Sequence, residues 1–141
     1  MWVCSLLHPN ATLLRYPPGA TTPQRVEAFA PAAAGKAHAR HVIHLAYSSR
    51  GGATGDANVL LALTSSLLHP DVPEEVLVQE LDADWATRRD GGSVGRRALP
   101  LPRANTAAHR IAVAEAHKPR SLFVTGLATQ SVYQYYGGTS F

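Results

Sequence analysis

Residues 41–81 hold three apolar runs separated by breaks that carry glycine or proline, and their order limits what the chain can fold into. The first, His41-Val42-Ile43-His44-Leu45-Ala46-Tyr47, is β-branched and aromatic and is bounded by turn residues, which predicts a strand. Residues 48–55, with Gly51, Gly52 and Gly55, predict a loop. In residues 56–68, Leu60, Leu63 and Leu67 recur at the i, i+3, i+7 spacing of a buried helical stripe, with Val59 beside them. That predicts a helix, with Asp56 complementing the dipole in its first turn and Pro70 and Pro73 past its end. Residues 75–81, Glu-Val-Leu-Val-Gln-Glu-Leu, predict a second strand. Strand, helix and strand in this order make a βαβ unit, with parallel strands and a right-handed crossover.

Downstream, residues 85–89 and 96–101 flank Asp90-Gly91-Gly92, a hairpin signal. Pro100 and Pro102 restrict the second of these segments to an edge or a short strand. Asn105 is a suitable N-cap for a helix over 106–117, whose Ala108, Ile111, Ala112 and Glu115 trace a partly apolar face, with Pro119 as its stop. The expected order, β-α-β-β-β-α, is that of the thioredoxin fold: an α/β chain with helices packed on a mixed sheet.

That domain spans residues 40–118. Residues 1–39 are expected to be an irregular N-terminal extension, broken by Pro9, Pro17, Pro18, Pro23 and Pro31 and by the low-complexity Ala32-Ala33-Ala34-Gly35. Residues 119–141 are expected to be a C-terminal extension. It carries Leu122, Phe123, Val124, Leu127, Val132, Tyr133, Tyr135, Tyr136 and Phe141, too much apolar surface to leave in water, and a partner is the expected cover.

At 141 residues the chain has room for one modest domain plus extensions. Its charged content, 16%, is low against about 25% for an average soluble domain. Interface centres are depleted of charge, so this composition points to a surface covered by partners. The net charge of +3 comes from scattered Lys and Arg, which is no nucleic-acid footprint. The pairs Arg88-Arg89 and Arg96-Arg97 read as a solvated hairpin tip before a phosphate patch. A lone Cys4 rules out an intrachain disulfide and fits a reducing compartment. No apolar run approaches the roughly 20 residues of a membrane-spanning helix. Residues 1–26 hold Arg15 and Arg25 and only uncharged or apolar residues otherwise, a charge bias like that of transit peptides, though prolines interrupt any amphipathic helix.

None of the candidate chemistries gathers a working set, and no catalytic, cofactor-binding or metal-ligating residue is expected. Redox catalysis on this fold needs a thiolate at the end of the first strand, where the sequence has Ala46-Tyr47-Ser48-Ser49. His38, His41 and His44 recur every third residue, so on a regular strand His41 and His44 face opposite ways and cannot share a metal. His109 and His117 stand too far apart on one helix to share an ion. Residues 50–55 lack the Lys-Ser/Thr ending of a phosphate-binding P-loop. Ser49, Asp56 and His44 have no nucleophile elbow to assemble them.

With these elements placed, residues 40–117 resemble the small thioredoxin-fold accessory subunits of mitochondrial respiratory complex I, a superfamily shared with some mitochondrial ribosomal proteins. The resemblance runs through Val42-Ile43-His44-Leu45 in the opening strand and the Ser/Gly-rich residues 48–55. It continues in His69-Pro70-Asp71-Val72-Pro73 leading into Val76-Leu77-Val78-Gln79-Glu80, then in Trp85-Ala86, Leu99-Pro100-Leu101 and Asn105. The two cysteines of animal members are replaced by Ala46 and Leu81, which removes any disulfide or redox sensing. The resemblance implies a non-catalytic subunit on the matrix side of the inner mitochondrial membrane. Its partner would be the large iron–sulfur subunit of the peripheral arm, and it would carry no cofactor and bind no small-molecule substrate. The alternative it leaves open is a mitochondrial ribosomal protein whose arginines meet rRNA; nucleic acid is a partner only there.

Overall fold

Where two helices are expected, the chain forms strands. A computed structural model describes residues 1–4, 13–26, 41–51, 57–65, 71, 73–81, 96–138 and 141, and every regular element among them is a β-strand. β1 (Trp2–Cys4), β2 (Leu13–Arg15) and β3 (Gln24–Val26) form one antiparallel meander. A second meander contains β4 (His41–Gly51), β5 (Ala57–Ser65), β6 (Glu75–Leu81) and β7 (Arg96–Pro100). β8 (Ala108–Ala114), β9 (Ser121–Gly126) and β10 (Ser131–Tyr136) form the third. The expected thioredoxin-like α/β fold is therefore overturned. All three sheets are antiparallel, so the parallel βαβ unit goes with it.

The segment expected as the first helix is β5, one of the two interior strands of the middle sheet. Val59, Leu61 and Leu63 point to one face, and Leu60 and Ala62 to the other, and all five are buried. A strand covered on both faces is a continuous apolar run, and such a run also supplies residues at helical spacing. Leu60 and Leu63, which share a helical stripe, lie on opposite faces of the sheet.

The second expected helix is β8, and there the cause is a bulge. Ala108 is opposite Gly126 and Arg110 is opposite Thr125, so His109 is an inserted residue. The insertion puts buried Ala108 and Ile111 three apart on one face, a spacing that imitates a helix. Asn105 caps no helix. It adopts a left-handed backbone conformation, φ 53°, which Asn tolerates better than most residues. Ala107 does the same at φ 50° without that chemical excuse.

Two expected strands are found in place, 75–81 as β6 and 41–47 as the first part of β4. β7 occupies 96–100 at one end of the middle sheet, ends on Pro100, and pairs with β6. Its expected hairpin partner, 85–89, lies outside the described residues, as do Asp56, Asp90, Gly91 and Gly92.

The middle sheet is the centre of a three-layer stack. One face meets the β8–β10 sheet across a core of Val59, Leu61, Leu63, Val76, Val78, Ile111, Leu122 and Val124, with Phe141 and Leu101 sealing it. The other face carries Val42, Leu60, Ala62 and Leu81, with Trp2 of β1 packed against them. Each fully buried Leu or Val contributes about 1.5–3 kcal/mol relative to exposure, so the two-sided sheet dominates stability.

The segment 119–141 packs on the chain itself. β9 sends Leu122 and Val124 into the core. Phe141 is fully buried, its ring lies 4.5 Å from the Arg120 guanidinium, and its carbonyl accepts from that side chain.

Candidate docking surface

β10 alternates between half-buried and exposed residues because, among the described residues, only one face of its sheet packs on the rest of the chain. Register places Ile111, Val124 and Tyr133 side by side on the inner face, and next to them Val113, Leu122 and Tyr135. The outer face has three rows: Arg110-Thr125-Val132, Ala112-Phe123-Gln134 and Ala114-Ser121-Tyr136. Val132 is 64% exposed and Tyr136 48%, while Phe123 is half-buried between them.

Polar groups are interleaved with these apolar residues, Gln134 standing in the middle row opposite Phe123. Gln134 donates from Nε2 to Ser121 Oγ at 2.9 Å, and His117 Nδ1 lies 3.0 Å from the same hydroxyl. The His117 ring sits edge-on to Phe123, centroids 6.4 Å apart. Exposed large apolar side chains close together on one sheet face mark a candidate protein-binding patch.

The joint between this sheet and the middle one is tied by polar contacts. Ile111 N–H donates to His44 Nδ1 at 3.3 Å, so that ring nitrogen must be the unprotonated one. Burial lowers the His44 pKa, and the nearby Arg110 and His109 lower it further. Ser49 N–H donates to Glu115 Oε1 at 3.1 Å. Glu74, buried, accepts from Ala108 N–H through Oε1 at 3.2 Å, while its Oε2 has no partner among the described residues.

On the opposite side of the middle sheet a cleft of about 490 Å³ opens toward β1–β3, lined by Trp2, Arg15, Tyr16, Leu45, Tyr47 and Leu60, among others. The Tyr47 hydroxyl donates to Asn58 Oδ1 at 2.9 Å, and burial raises its pKa, with Glu115 adding to the shift.

The sequence candidates are scattered over this frame. His41 is opposite Ser65 and His44 opposite Leu63, with Ile43 inserted between. That bulge brings both histidines to one face, correcting the expectation of opposite faces. His44 is already engaged by Ile111. Ala46, at the position of a thioredoxin-type thiolate, lies mid-strand against the core. Arg97 is exposed on β7, and Arg88-Arg89 lie outside the described residues, as do His38 and most of the 50–55 loop. Alternation in Ser131-Val132-Tyr133-Gln134-Tyr135-Tyr136 is the sequence signal for the docking face, legible once the segment is taken as a strand. No helix among the described residues is long and apolar enough to cross a membrane.

Comparison with protein-family models found no match, nor did comparison with curated proteins or with solved structures.

Proposed function

We propose that this chain is a non-catalytic structural subunit, a layered β scaffold that enters a larger assembly through the outer face of its β8–β10 sheet. The observation that carries it is the exposed Val132 and Tyr136 beside Phe123 on one face of a hydrogen-bonded sheet. The low charged content, 16% of residues, supports the same role. Placement in complex I drew on a fold with two packed helices, and the strands found in their place among the described residues withdraw that support. The coarser role, a subunit that binds rather than catalyses, depends on the exposed face and not on helices.

The test is native separation of cell extracts in mild detergent, following the full tagged chain and a Val132→Asp/Tyr136→Asp variant. The scaffold role expects the wild-type chain in a complex well above its own mass and the variant released from it. A wild-type chain running alone, or a variant that stays assembled, would sink the proposal. Co-migration with NADH dehydrogenase activity would make the partner complex I, and co-migration with rRNA would make it the mitochondrial ribosome.

A further inference from the structure

The cleft between the first sheet and the middle sheet is set by strand register. Trp2 stands opposite Arg15 and Arg15 opposite Gln24, so the three share one face of the β1–β3 sheet. Trp2 packs against the cluster that holds Leu60, which turns this face toward the middle sheet. On the other wall Tyr47 stands opposite Leu60, and Leu45, two residues earlier on β4, is on the same face. The space between the walls is about 490 Å³, within the range of roughly 300–1,000 Å³ that small-molecule sites occupy. Trp2, Tyr16 and Tyr47 all line it and are only half-buried, so ring surface is open to a ligand.

Aromatic walls accept either a flat ring or an organic cation. Charge decides between them. Among the described residues lining the cleft, Arg15 alone has a charged side chain. A guanidinium repels an ammonium and meets a carboxylate with two parallel N–H donors. Arg15 Nη1 reaches Gln24 Oε1 at 3.4 Å along the cross-strand row, and the fork has five N–H donors in all. The Tyr47 hydroxyl gives its proton to Asn58 Oδ1 at 2.9 Å, so Tyr47 offers the cleft its ring and not a donor.

We infer that the cleft binds a small planar aromatic carboxylate, its ring against Trp2, Tyr47 and Leu60 and its carboxylate on the Arg15 guanidinium. Covering the ring removes apolar surface from water. The ion pair then forms beside a low-dielectric wall, where it is stronger than in bulk water. The cleft and the β8–β10 sheet lie on opposite faces of the middle sheet, so this site does not depend on the docking role proposed above.

Naphthoate, naphthamide and naphthylmethylammonium share one ring system and differ in charge, and each is titrated calorimetrically into the purified full chain. The expected result is one naphthoate per chain with a Kd below about 1 mM. The amide binds at least about tenfold more weakly, and the cation more weakly still. Arg15→Gln lowers the affinity for naphthoate to that for the amide. Trp85→Phe leaves Trp2 as the one indole of the chain, and its emission should saturate together with the heat. Circular dichroism checks that both variants keep the fold. No naphthoate binding at millimolar concentration would overturn the site, as would an amide or a cation that binds as tightly. So would a naphthoate affinity untouched by Arg15→Gln, or heat without a change at Trp2. The three-ligand comparison uses the unsubstituted chain, so it decides the proposal even where a variant fails to fold.

Discussion

The β4–β7 sheet and the β8–β10 sheet are built from similar residues, yet one reads as unbroken apolar sequence and the other alternates. The difference is in what covers them. Both faces of β5 are packed, so Val59 to Leu63 are buried without interruption. Among the described residues β10 has one covered face, and its exposure alternates residue by residue along the whole strand. Hydrophobic pattern therefore reports the number of covered faces as much as the type of element. Sequence arguments that assume one covered face misplace a strand that has two.

Substitutions can break this comparison. The largest effect is expected at Leu61→Ala, in the fully buried interior of the middle sheet, at about 2–5 kcal/mol. Denaturant unfolding checks it, and a cost under about 1 kcal/mol would mean that the two-sided packing is not what holds the molecule. Gly126→Ala comes next, because a Cβ there would run into the side chains of Thr106 and Thr129 at the mouth of the β9–β10 turn. Overpacking of this kind costs about 1–3 kcal/mol, to be read as a lowered unfolding midpoint.

Tyr135→Phe removes the hydroxyl that joins the two sheets at their wide side and is expected to cost about 0.5–1.5 kcal/mol. Val132→Asp, on the uncovered face, is expected to leave monomer stability within about 0.5 kcal/mol while abolishing association. A large stability loss there would erase the distinction between the covered and uncovered faces.

The joint between the two sheets gives a pH dependence. The folded-state pKa of His44 lies below the ordinary value of 6.5 because burial, then Arg110 and His109, disfavour its cation. The unfolded chain then binds the proton more readily than the folded one, so this contribution to stability is complete above about pH 6.5 and is lost as pH falls through the folded pKa. Protonation also removes the acceptor for Ile111 N–H. In denaturation curves at pH 7.5 and 5.5, His44→Gln should flatten the drop seen in the wild type. An unchanged drop would place the sensitivity elsewhere.

Legibility in the sequence followed the local physics. β6 was readable to the residue because Glu75-Val76-Leu77-Val78 is β-branched, bounded and short. β8 was not, because one inserted histidine, His109, converts a period of two into a spacing of three. The docking face was half legible: its aromatic residues marked 119–141 as surface needing cover, but only the pairing of β9 with β10 separates Tyr133 and Tyr135, packed on the core, from Val132 and Tyr136 outside.

By itself the sequence determined the start of β4, the position of β6 and the apolar character of the C-terminal segment, since each is a property of a few neighbouring residues. Tertiary structure decided the rest. Whether β5 coils or extends depends on partners on both sides of it, and a run of Val, Leu and Ala satisfies either state until the strands flanking it supply hydrogen bonds along its whole length. Which aromatic residues face outward depends on register between strands, and register is a relation between distant segments that no single segment contains.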